Sequence, residues 1–245
     1  MKLDIEQILC KWPFEPGQLN VREIEADDGR RIIQVRVMLG LLQFETIGRP
    51  DGARPGGNDS LLAFLESERE SFIAGGGKKN DFRIDGEQAA ALREEAGMHH
   101  HRFVACMSLE DYSGVMADTA HNLRIFDFCA QHAEASQDRE VLEQFRTQVI
   151  ATQARACAAL AVREGRAQVA LEAIDRAIEM ILSSVSDSEQ VEPPEIGLLQ
   201  GMRDALVPRL PSSQRHELEQ RLVAAIEAEN YELAAVLRDE LRLMM

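Results

Sequence analysis

Residues 86–109, GEQAAALREEAGMHHHRFVACMSL, and 110–133, EDYSGVMADTAHNLRIFDFCAQHA, are two long segments with helical periodicity, and their reading decides the fold class. From about Asp85 onward the chain reads as helices alone. A second pair, 138–165 (DREVLEQFRTQVIATQARACAALAVREG) and 166–185 (RAQVALEAIDRAIEMILSSV), repeats the pattern, and each pair turns at a short polar joint. The Pro-, Ser- and Glu-rich stretch SDSEQVEPPE (186–195) then separates this block from a helix around Ile196 to Val207. PRLPSS (208–213) precedes a terminal hairpin.

Upstream of Asp85 the element types mix. LDIEQILCKW can form a short helix with Ile5, Ile8, Leu9 and Trp12 on one face, which the following prolines end. Asp28-Gly29 is a hairpin turn signal, after which Ile33, Val35 and Val37 alternate with Gln34 and Arg36. Gly40 permits a bend before a third strand around Leu41 to Ile47, so a small antiparallel meander is expected. The helix DSLLAFLESERESFI, with Asp59 or Ser60 as its N-cap and Leu61, Leu62, Leu65 and Phe72 as its stripe, is the nearest cover for that sheet. The three glycines of AGGGKKND then break the chain.

The expected fold is therefore α+β and mainly α. Its parts are an N-terminal α+β module at 1–78, a repeat-like helical domain at 85–186, a linker with a connecting helix at 187–211, and a helical hairpin at 212–245.

Composition narrows the function. Asp and Glu number 42 against 27 Lys and Arg, a formal charge of −15 that repels phosphate backbones, so direct nucleic-acid binding is not expected. The N-terminal MKLDIEQILCKW has no apolar signal core, and no apolar run reaches membrane-spanning length, so the protein reads as cytoplasmic with no membrane partner. Cys10, Cys106, Cys129 and Cys157 are far apart and read as small buried hydrophobes in a reducing compartment.

In RHELEQRLVAAIEAENYELAAVLRDELRLMM (215–245), Leu218, Leu222, Ala225 and Ile226 follow helical spacing, as do Tyr231, Ala234, Leu237, Leu241 and Met244. Asn230 is placed to cap the second helix, and Ala234-Ala235 lets the backbones approach closely. Arg238 and Asp239 are adjacent, so they are expected to point in different directions and stay unpaired. Two helices this short bury too little apolar surface to stand alone, since units below about 40 residues need outside support. That support is either the protein's own helical block or an equivalent hairpin on a partner.

At Leu218, Leu222, Ala225, Tyr231, Glu232, Ala234, Ala235, Leu237, Arg238, Asp239 and Leu241 this segment resembles the UVR motif. That hairpin is shared by the B and C subunits of the bacterial UvrABC excision nuclease, by McsA-type stress adaptors and by the middle region of some Clp ATPases. GLLQFETIGRPDGARPGG and EDYSGVMADTAHNLRIFDF also resemble uncharacterised bacterial proteins that carry it. The resemblance implies a protein–protein contact element rather than nuclease or helicase activity. The partner would be another UVR-motif protein or a second copy of this one, touched through Leu222, Tyr231, Ala234, Leu237, Arg238, Asp239 and Leu241.

Residues 151–181 resemble a tetratricopeptide-type repeat, with Ala154, Ala158, Ala170 and Ala177 at close-packing positions and Gly165 at the turn. A plain helical bundle is the alternative.

Chemistry elsewhere is sparse. Three consecutive helix residues, His99, His100 and His101, cannot all chelate one ion, and of His121, Cys129 and His132 the spacing brings only Cys129 and His132 onto one face, a pair without a third and fourth ligand, so no metal or other cofactor is expected. Glu94-Glu95 and Glu110-Asp111 read as solvated helix faces. GRPDGARPGGND (48–59) is either a rigid turn or an anion- or ligand-binding loop that uses Arg49, Asp51 and Arg54. The expected function is a non-catalytic adaptor working through the C-terminal hairpin. The alternatives are an accessory factor of excision repair and a small-ligand binder at the 49–58 loop.

Overall fold

The computed structural model describes residues 5–184, 193–207, 212–228 and 230–243. Met244 and most of the linker assigned from sequence lie outside them. The chain divides between Val149 and Ile150 into two compact units.

The first unit opens with a one-turn helix, α1 (Glu6–Leu9), shorter than its apolar spacing suggested and with no buried residue. A three-stranded antiparallel sheet follows in the order β1-β2-β3 (Asn20–Glu25, Arg31–Val37, Gly40–Glu45). Asp28-Gly29 makes the first turn, Gly29 taking a left-handed φ of 81° that an L side chain would strain. The register sets Ile33 opposite both Glu23 and Phe44, and Gln34 opposite Arg22 and Gln43. Gln34 accepts from Arg22 at 2.7 Å and donates to Gln43 at 3.0 Å, so a polar residue is kept inside the sheet by satisfied partners.

Helix α2 (Leu61–Ala74) is capped by Ser60, whose hydroxyl accepts from the Ala63 N–H at 3.0 Å. Its Leu62 and Leu65 do not serve mainly as a lid on the sheet. They are fully buried in one core with Leu92, Ala96, Ile125, Phe126 and Cys129 of the long hairpin formed by α3 (Gly86–Ser108) and α4 (Tyr112–His132). Residues on both sides of the glycine run thus share a core, and a boundary at 78–85 does not separate two packed bodies.

Helix α3 begins with a reciprocal cap: Asp85 accepts from the Gln88 N–H at 2.8 Å, and its own N–H donates to Gln88 Oε1 at 3.1 Å. It ends where Glu110 takes a positive φ of 57°. Asp111 then caps α4 by accepting from the Gly114 N–H at 3.1 Å, so this acid belongs to the turn rather than to a solvated face. A Cβ on Gly114 would lie 2.6 Å from Asp111 Oδ2 and 2.9 Å from Cys106 Sγ. Gly114→Ala is expected to displace the cap and cost about 1–3 kcal/mol, read by chemical denaturation. At the far end of the hairpin, Ile84 donates to the His132 carbonyl at 2.9 Å and accepts from the Glu134 N–H at 3.1 Å. A short helix, α5 (Ser136–Glu140), follows.

Helix α6 (Arg146–Arg163) leads into the second unit and turns at Gly165, φ 73°, into α7 (Ala167–Ser184). Ala154, Ala158, Ala170 and Ala177 are all buried, as close helix approach requires. Helix α8 (Pro194–Leu206) buries Ile196 and Leu199, and α9 (Ser212–Glu227) with α10 (Tyr231–Leu243) closes the chain. The architecture is mostly helical with one small antiparallel sheet. No helix among the described residues is long and apolar enough to cross a membrane.

Candidate functional site

The C-terminal hairpin has a closed inner side. Leu218 and Ala225 of α9 and Ala234 and Leu237 of α10 are buried, while Leu222 and Leu241 are partly covered. Asn230 caps α10 by accepting from the Leu233 N–H at 3.1 Å. Arg203 of α8 donates to Asp175 of α7 at 2.7 Å and also pairs with Glu240, a residue only 7% exposed. A cleft of about 600 Å³ lies between α7–α8 and the hairpin, with Leu171, Ile178, Leu233 and Val236 in its walls.

The residues expected to touch a partner therefore separate into two sets. Ala234 and Leu237 are internal packing and cannot meet another molecule while the hairpin is folded. Tyr231, Arg238 and Asp239 are exposed. Arg238 and Asp239 are not unpaired, because Nε and Nη2 reach Asp239 Oδ1 at 2.9 and 2.8 Å. The guanidinium arm is long enough to fold back across the turn between neighbouring positions, which an argument from Cβ direction alone overlooks. Ile226, placed by its spacing with the inner stripe of α9, is instead exposed, and sequence reading passed over Val223, Leu233, Val236 and Leu243, apolar residues also left exposed. Val223 and Ile226 stand three apart on α9, as Leu233 and Val236 do on α10, so each helix carries an apolar stripe beside its buried one.

In the first unit a polar cluster is enclosed between α2, α3 and α4. Glu95 is fully buried, not solvated. One carboxylate oxygen accepts from the Leu61 N–H at 2.7 Å, the other accepts from the Leu62 N–H at 3.2 Å and lies 3.0 Å from His121 Nε2, and Arg49 stands 3.3 Å away. The acid thus supplies negative charge to the positive end of α2, whose own first turn has no acidic residue. Burial alone would push the Glu95 carboxyl up, but the bonds from His121 and the two backbone amides hold it below the usual carboxylate range.

Arg102 clasps Asp118 through Nε at 2.9 Å and Nη2 at 2.6 Å, with both side chains buried, and its Nη1 donates to the Glu45 carbonyl at 2.7 Å. Asp118 Oδ1 also lies 2.7 Å from His99 Nδ1. Burial opposes the Asp118 charge, yet the bonds from Arg102 and His99 bring its carboxyl below the normal range. Burial lowers the pKa of His99, against the pull of Asp118, and favours a neutral ring. His99 and His121 stack with ring centroids 4.1 Å apart. An imidazole nitrogen of each and a carboxylate oxygen of Glu95 lie within 4.8 Å of one another. Sequence reading did not pair these residues, since it compared histidines along one helix rather than across the α3–α4 turn.

The remaining candidates are spoken for by other contacts. His132 packs edge-on to Phe82 and Phe128, and burial pushes the thiols of Cys106 and Cys129 up to about 12 and about 11, leaving them protonated. Cys10, by contrast, is exposed. In the 48–59 loop Arg49 does not project: it turns inward toward Glu95 and pairs with Asp51 at 3.0 Å, while Arg54 binds Asp59 at 2.6 Å. Each of these cations already faces a carboxylate, which disfavours the anion-binding use of the loop.

Residues 212–244, the described part of which is this hairpin, match the UvrB/uvrC motif family, UVR. Such motifs mediate protein–protein interactions in general. No curated protein and no solved structure matches the chain.

Proposed function

We propose that this protein is a non-catalytic adaptor that holds a protein partner through the C-terminal hairpin, the partner presenting a matching helical hairpin that completes a four-helix arrangement. The observation that carries this reading is the pair of exposed apolar stripes, Val223 with Ile226 on α9 and Leu233 with Val236 on α10, the second of them in the wall of the open cleft beside α7 and α8. A short hairpin that keeps such side chains in water carries a cost that association removes, about 25 cal/mol for each Å² of apolar surface covered. The motif match over the same residues supports the reading, and the acidic charge of −15 supports a protein rather than a nucleic-acid partner.

The test is cross-linked affinity purification of the full chain from its native cell, comparing wild type with Val223→Glu/Val236→Glu. Both positions are exposed, so the fold should persist, as circular dichroism would show. Removing central apolar contacts typically costs about 2 kcal/mol or more, so recovery of the partner should fall more than about tenfold. Undiminished recovery with a folded variant would show that this face is not the contact. Sedimentation of the purified protein at rising concentration distinguishes a second copy from a different partner.

A further inference from the structure

We propose that Glu95, His99 and His121 form a site for one divalent transition cation of the zinc class, held between α3 and α4. This rests on the cluster in the first unit and is independent of the hairpin reading. The three donors converge from two helices: one nitrogen from each imidazole and one Glu95 oxygen lie within 4.8 Å of one another. Nitrogen and oxygen donors of this kind suit zinc, cobalt, nickel or ferrous iron better than calcium or magnesium, which prefer oxygen alone.

The decisive detail is His99. Its Nδ1 faces Asp118 Oδ1 at 2.7 Å, and Arg102 Nη2 already donates to that same oxygen. Asp118 is ionised beside Arg102 and can only accept, so Nδ1 carries the hydrogen and Nε2 carries the lone pair. Nε2 is buried and has no hydrogen-bond partner among the described residues. A buried polar atom without a partner is costly, and a carboxylate fixing the far nitrogen of an imidazole is the arrangement that orients metal-binding histidines.

At His121 the ligand nitrogen is Nε2, 3.0 Å from Glu95 Oε1. A hydrogen is shared across that contact, and a cation entering there takes its place, the hydrogen leaving as a proton to solvent. Three protein ligands leave at least one coordination position for water or an outside ligand. His121, the most exposed of the three with 14% of its side chain accessible, marks the side of entry. Glu95, Asp118 and Asp51 stand against Arg49 and Arg102, so the surroundings carry a slight negative excess and suit an exchangeable ion.

The experiment titrates cobalt(II) chloride into untagged, chelator-treated full-length protein and follows the visible bands of coordinated cobalt, with zinc(II) as competitor. Wild type should bind one equivalent saturably, lose the bands to zinc, and melt at a higher temperature with zinc than without. His121→Gln retains a donor toward Glu95 and is expected to stay folded, yet should bind at least about tenfold more weakly and lose the zinc-dependent shift. His100→Gln/His101→Gln, which alters the neighbouring histidines only, should bind as wild type. The proposal fails if wild type shows no saturable equivalent, if folded His121→Gln binds as tightly as wild type, or if the His100/His101 variant is the one that loses the metal.

Discussion

Asp118→Asn should destabilise the protein by about 3–5 kcal/mol, the usual result of removing one member of a buried ion pair. Arg102 is 5% exposed and spends Nε and Nη2 on this one carboxylate, so the amide would leave a buried guanidinium without a counter-charge. The single amide oxygen would have to serve both His99 and Arg102, and the amide NH2 would face a donor. Urea denaturation measures the loss. A second measurement separates the strength of the pair from the penalty of an orphaned charge: Arg102→Met/Asp118→Leu should cost less than the two single changes added together, because neither charge is then stranded. Full additivity would mean that the two side chains do not act as a unit.

Leu237→Ala should have the next largest effect, about 2–5 kcal/mol on the hairpin. Leu237 is 2% exposed, and the other buried apolar positions on these two helices include the small residues Ala225 and Ala234, which cannot expand to fill its space. The damage should stay local, with amide exchange quickening across α9 and α10 while α3 and α4 keep their protection. Protease cutting after residues of α10 gives the same readout. Uniform loss of protection along the entire chain would instead show that the hairpin is an integral brace for everything before it.

Periodicity made the helices legible because long amphipathic stripes have one economical solution, and Asp28-Gly29 marked the first hairpin because few dipeptides accept that turn. Asn230 and the buried alanines of α6 and α7 were readable for the same local reason. What could not be read was any pairing set by tertiary approach. Glu95 has the sequence context of a surface acid, and only the arrival of α2 makes it internal. The cover of the sheet was misassigned for a related reason: Leu62 and Leu65 announce an apolar stripe but not its target, and the hairpin of α3 and α4 offers the larger apolar surface. Arg238 and Asp239 show the limit of arguing from Cβ direction, since a flexible side chain of several bonds can reverse that geometry.

Glu95 also bears on the order in which the chain acquires structure. The carboxylate that satisfies the first amides of α2 lies 34 positions beyond Leu61, and its histidine neighbour comes 26 positions later still. During synthesis α2 leaves the ribosome with only Ser60 to serve its leading turn, and its two buried leucines have no core to enter until much of α4 has followed. Helix α2 is therefore obliged to wait, and a pause in synthesis after α2 has emerged but before α4 has followed would leave its apolar side uncovered, a natural substrate for chaperones.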